Sequence, residues 1–170
     1  MSEQETMHET MAPAKLGKEH EMLAKSAGEW NVTMKTWMAP GDPPNESTGT
    51  ARIKMILDGH ILSEEFRGDF GGMQFEGLGM VGYDTFRNRW WQTWCDNMST
   101  GIYWGAGTAS PDGKTVTLIG KSDRPQQNRK DVEMKGIYRF ISDNEHVFES
   151  YDKGPDGKDI KTMEIHYRRR

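Results

Sequence analysis

The sequence has a single cysteine, Cys95, in 170 residues, which excludes an intrachain disulfide. No apolar run approaches the roughly 20 residues that a membrane-crossing helix needs. The stretch from Met1 to Thr6 is acidic where a secretory signal would be basic and then apolar. These absences lead to the expectation of a soluble, cytoplasmic protein. Positive charge is short as well: 22 Lys and Arg stand against 26 Asp and Glu, for a formal net charge of −4, and the one concentrated basic run is Arg168-Arg169-Arg170. A field of that sign does not draw polyanions, so neither nucleic acid nor an anionic membrane is expected as a partner.

Several chemical signatures are missing too. The five histidines, His8, His20, His60, His146 and His166, form no HExxH pair and have no close carboxylate spacing, so no metal site is expected. There is no Gly-x-Ser-x-Gly elbow. Cys95 sits between Trp94 and Asp96, where the adjacent acid raises the thiol pKa rather than lowering it. Gly68 to Gly72 has neither the spacing nor the lysine of a phosphate loop.

What the chain does hold is 19 glycines and 12 methionines, the latter flexible and polarizable side chains suited to core filling or to adaptable binding. The length fits one domain that can bury a core unaided. Residues 1–12 are polar and aperiodic and are expected to form a disordered tail, with a single β-barrel domain over 13–170. From Pro13, Leu16, His20, Leu23, Ala24 and Ala27 recur at helical spacing until Gly28, which predicts one short N-terminal helix.

After Gly28 the period changes to two. Turn chemistry at nine places, among them Pro40 to Asn45, Asp58-Gly59, Gly71-Gly72, Pro111-Asp112-Gly113 and Gly154 to Gly157, leaves ten strands. They fall approximately at 29–38, 47–57, 60–69, 73–83, 89–96, 101–109, 115–122, 130–140, 146–152 and 159–168. Short connections make sequential strands antiparallel neighbours. An all-β, ten-stranded, antiparallel up-and-down barrel removes both exposed edges and leaves an interior wide enough for a ligand. Glycines at 77, 79, 82, 101, 105 and 107 are expected to permit the bends of closure.

Gly28-Glu29-Trp30 at the head of the first strand, with a basic run on the last, resembles the calycin signature. The resemblance implies that Trp30 packs across the closed end under Arg168 or Arg169, a cation–π contact worth about 0.5–2 kcal/mol. Glu19 to Leu23, Met38-Ala39-Pro40-Gly41, Phe75-Glu76-Gly77-Leu78-Gly79, Gly82-Tyr83-Asp84, Trp94-Cys95-Asp96 and Gly154 to Lys158 together resemble a bacterial, lipocalin-like domain-of-unknown-function family, number 1579. That similarity runs from about residue 14 to 168 and implies a fold without an established activity.

Alternation in Ile61 to Arg67 sets Glu64 on the face of Leu62 and Phe66, and in the ninth strand Glu149 shares a face with Val147 and Tyr151. A carboxylate among apolar side chains must be paired, hydrogen-bonded or protonated. Each is therefore a ligand anchor or a member of an internal polar network, and Glu76 in the family-like stretch is a further candidate anchor. Trp90, Gln92, Trp94 and Asp96 share one face of the fifth strand, and Ile102 and Trp104 one face of the sixth. Trp94 and Trp104 are candidate pocket walls with Gln92 as an orienting group, or simple core. His20 on the helix and His166 or His146 on the late strands are the positions for a haem ligand, although a lone histidine on an apolar face is usually a satisfied core residue and haem is the minority reading.

Three functions follow. The first is binding or sequestration of a small, largely apolar molecule such as a fatty acid, isoprenoid or aromatic metabolite, without a cofactor. The second is an enzyme, either haem-bearing through a histidine or a carboxylate-based isomerase or hydrolase. The third is a homodimerising barrel whose interior is only core.

Overall fold

The structure, a computed structural model, describes residues 12–170; the expected tail over 1–12 lies, but for Ala12, outside the described residues. One helix, α1 (Lys18–Lys25), precedes ten strands: β1 (Gly28–Thr36), β2 (Asn45–Ile56), β3 (Ile61–Phe70), β4 (Met73–Asp84), β5 (Arg89–Asp96), β6 (Tyr103–Ala109), β7 (Thr115–Arg124), β8 (Arg129–Ser142), β9 (Glu145–Lys153) and β10 (Asp159–Arg169). A 3-10 turn, Pro125–Gln127, joins β7 to β8. Each strand pairs antiparallel with its sequence neighbours, and β10 returns to pair with β1, so the sheet closes as a ten-stranded barrel. No helix among the described residues is long and apolar enough to cross a membrane.

The seam between β1 and β10 runs from Trp30 opposite Arg169 to Thr36 opposite Met163. Inward residues at the Trp30 end are large and apolar: Trp30, Ile53, Leu62, Val81, Trp90 and Val116 are all buried. α1 covers this end with Leu23, which is 2% exposed. The helix is shorter than the spacing from Pro13 predicts. Nε2 of His60 lies 3.0 Å from the Ala14 carbonyl, which takes that carbonyl away from a helical partner, and Gly17 is extended.

A clasp locks the end shut. The Arg169 guanidinium carbon lies 4.4 Å from the centroid of the Trp30 ring. Its Nε donates to the Asp143 carbonyl (2.9 Å), Nη1 to Ala27 (2.7 Å) and Nη2 to Lys25 (2.6 Å). One side chain thus ties the helix end, the β8–β9 turn and the first tryptophan together. The Trp30 indole N–H donates to the Ser26 carbonyl at 3.0 Å. Gly28 is required here: its φ is +149°, and a Cβ would stand 2.3 Å from Arg169 Nη1.

Of the glycines named for bends, those at 77, 79, 82 and 105 make room for rings. A Cβ at Gly77 would lie 2.2 Å from the Trp94 ring, and one at Gly105 would lie 2.2 Å from the Tyr103 hydroxyl. Two aromatic side chains therefore lie flat on the barrel wall and leave the centre unfilled.

Arg169→Ala is expected to lower unfolding stability by about 2–4 kcal/mol, the loss of charge-assisted hydrogen bonds plus a cation–π contact. Arg169→Lys should recover less than half of it, because a point charge cannot serve three carbonyls. Chemical denaturation of the three proteins reads this directly, and an alanine variant as stable as wild type would contradict it.

Candidate functional site

Away from the clasp the inward side chains thin out, and the barrel holds a cavity of about 350 Å³. That volume is at the small end of the roughly 300–1,000 Å³ typical of ligand pockets. Its walls are aromatic and sulfur-bearing: Phe66, Phe75, Trp94 and Phe148, with Met34 and Met134. Phe75 stacks on Trp94 with centroids 6.4 Å apart, and Phe66 meets Trp94 edge-on at 6.3 Å.

The polar groups form two separate sets. At the inner end, the Tyr167 hydroxyl donates to Glu64 Oε1 at 2.8 Å, and Gln92 Nε2 donates to the Tyr138 hydroxyl at 2.7 Å. Glu64 and Tyr138 also border a small void of about 30 Å³ on the clasp side, so they form a floor between the two spaces. At the mouth, Arg124 is held by Asp152 in a two-pronged pair, Nε to Oδ2 at 2.6 Å and Nη2 to Oδ1 at 2.5 Å, while Nη1 donates to the Asp123 carbonyl. Asp96 accepts from the Trp94 indole at 2.9 Å and from the Met98 amide at 3.0 Å. Among the described residues, Gln92 Oε1 and the Tyr103 hydroxyl in this cavity have no hydrogen-bond partner. Leaving a buried polar atom unpaired costs about 1–3 kcal/mol.

Of the residues singled out from sequence, Glu64, Gln92 and Trp94 line this cavity. Glu76, Trp104, Glu149, His20, His146 and His166 do not. Glu76 is exposed on β4 with an ion-pair distance of 3.5 Å to Arg67. Trp104 is on the outer face, 48% exposed and under the Arg89 guanidinium, because the inner face of β6 belongs to Tyr103, Gly105 and Gly107. Glu149 points outward. The inward side chains of β9 at this level are Phe148 and Ser150, and Glu149 is bound by Arg139 and Lys161, each at 2.8 Å. Partial burial pushes its carboxyl up, but those two cations hold it below its ordinary value.

His166 also faces out. A register shift between Lys161 and Met163 brings both Thr162 and Met163 to the cavity, after which Ile165 and Tyr167 are inward and His166 meets Glu164 at 2.7 Å. His20 is buried but caps α1, its Nδ1 accepting from the Gly17 amide at 3.2 Å. His146 borders the small void and a cleft beside α1, not the 350 Å³ cavity. No described histidine lines the 350 Å³ cavity, so the residues present do not fit a haem held there by an axial imidazole. Arg124, Asp152, Tyr103 and Tyr138 escaped the sequence reading. The Arg124–Asp152 partners are 28 residues apart and no local pattern joins them.

Burial pushes the Glu64 carboxyl up from 4.5 to about 7, against the opposing pull of the Tyr167 hydrogen bond. His146 is pushed down to about 4 by burial and by Arg169.

The comparisons with known proteins agree with this architecture. The family described as "Protein of unknown function (DUF1579)" matches residues 15–169. No protein with a curated description matches the chain. Among solved structures, Rv2717c from M. tuberculosis superposes with a TM-score of 0.65 at 15% identity, over 92% of this chain and 99% of that one. The S-type phycobiliprotein lyase CPES from Guillardia theta superposes with a TM-score of 0.61 at 15% identity, over 93% and 98%. At such identities the likeness is one of fold.

Between about pH 4.5 and 7 the folded protein keeps a proton on Glu64 that the unfolded chain has released, so this group's share of stability falls as pH rises. His146 acts in the opposite sense between about 4 and 6.5, where the unfolded chain takes up a proton that the fold refuses. Glu64→Gln keeps an acceptor for Tyr167 and removes the first titration. Urea midpoints at pH 4.5 and 8 should show the variant gaining roughly 3 kcal/mol on wild type over that span. A difference independent of pH would contradict the buried proton.

Proposed function

Starting from a chain that belongs to the DUF1579 family, described only as proteins of unknown function, we propose that it binds a small, largely apolar molecule inside the barrel. The observation that carries this reading is the unfilled aromatic-walled cavity, open opposite the Trp30–Arg169 clasp. A barrel evolved only as core would fill the 350 Å³ with side chains, since interiors otherwise pack to crystal-like density. Here the chain spends glycines at 77, 79 and 105 on laying rings against the wall.

A second reading is favoured by Glu64. A carboxyl that titrates near 7 at a cavity floor is equipped to take a proton from a bound molecule and return it. Its signature would be solvent-deuterium exchange into a bound ketone that disappears in Glu64→Gln; equal exchange in both proteins would remove this reading.

For the binding reading, the neutral fluorophore N-phenyl-1-naphthylamine should show saturable, one-to-one enhancement with wild type. Ser122→Trp, which adds an indole at the cavity wall, should weaken it at least about tenfold while leaving the circular dichroism unchanged. Absence of saturable binding to wild type would contradict the proposal.

A further inference from the structure

The two unpartnered atoms of the cavity lie on neighbouring strands. Gln92 on β5 and Tyr103 on β6 are each 5% exposed, and both line the cavity. Gly105 is the register partner of Gln92, and the Tyr103 hydroxyl lies over Gly105 at 2.2 Å from where a Cβ would stand. The hydroxyl is therefore folded back along β6 to the level of Gln92, whose Oε1 is also without a partner. An acceptor and a group that both donates and accepts thus face the same inner region of the cavity.

The one cation near this place is already spoken for. Arg124 is the cavity's one described cationic side chain, and all three of its nitrogens are engaged, two by Asp152 and one by the Asp123 carbonyl. The remaining ionisable acids of the lining are Asp96, with both oxygens occupied, and Glu64 at the floor. An anionic head group placed here would meet a carboxyl and a guanidinium whose charge Asp152 already neutralises.

Resting on the reading of the cavity as a ligand site, we infer that its ligand is an aromatic molecule bearing an uncharged hydrogen-bond donor, a phenol-like hydroxyl, that docks on Gln92 Oε1 and the Tyr103 hydroxyl. The hydroxyl donates to the glutamine oxygen and accepts from the tyrosine, which satisfies both orphaned atoms at once. Trp94, Phe66, Phe75 and Phe148 supply edges and faces for the ring. Fatty-acid carboxylates, which suit the apolar walls, are disfavoured by the floor.

Calorimetric titration of the full chain with four matched probes tests this: 2-naphthol, 2-methoxynaphthalene, naphthalene and 2-naphthoate. 2-Naphthol should bind about tenfold or more tightly than naphthalene and 2-methoxynaphthalene, with 2-naphthoate weakest. Tyr103→Phe and, separately, Gln92→Met should each reduce the preference for 2-naphthol over naphthalene to within about threefold. Equal affinity for 2-naphthol and naphthalene, or a preference for 2-methoxynaphthalene or 2-naphthoate, overturns the donor assignment but leaves the cavity as a binding site. Failure of all four to bind overturns the binding reading itself, and this inference with it.

Discussion

The seam where β1 meets β10 is the constraint on which the rest depends, and Arg169 over Trp30 is what fixes it. A meander of ten strands leaves two open edges until the last strand finds the first, and that pairing joins residues more than a hundred positions apart. At its end the guanidinium lies on the indole and donates to three backbone carbonyls from the helix end and the β8–β9 turn. The clasp sets the register of closure and plugs one mouth of the barrel. The apolar residues crowd toward it, and the space they do not fill is left on the other side.

What lies in that space follows from the same packing. Aromatic rings pressed against glycines leave the axis free, and the polar groups that remain inward are arranged in a floor and a rim. At the rim, Arg124 and Asp152 neutralise each other with good two-pronged geometry. At the floor, Glu64 lies in surroundings too dry to favour its charge, so it rests on a tyrosine proton instead of a cation. The unpaired atoms of Gln92 and Tyr103 are a residue of this arrangement that apolar packing alone would not leave behind.

Most of the barrel was legible because period-two alternation and turn residues are local signals, and the ten expected strands fall within a few residues of those observed. Glu64 could be read because Leu62 and Phe66 flank it on one face, and the Trp30–arginine contact came from a family resemblance. The misreadings have physical causes. β9 is covered on both faces, so alternation could not tell Glu149 from Phe148 and Ser150. On β6 the inner face is nearly side-chain-free, and the large Trp104 draws the eye to the wrong side. The helix start shifted because His60, distant in sequence, holds the Ala14 carbonyl. The pairing of Gln92 with Tyr103 passes through the register of Gly105 and a folded-back ring, neither of which is written in either strand alone.

The methionines supply a direct reading of whether a guest enters. Met34, Met134 and Met163 line the cavity, whereas Met38 is 80% exposed outside it. With isotope-labelled methionine methyl groups and 2-naphthol bound, nuclear Overhauser contacts from the naphthalene ring should reach Met34, Met134 and Met163 and not Met38. Contacts confined to Met38 and other surface methyls, or none, would contradict an interior site.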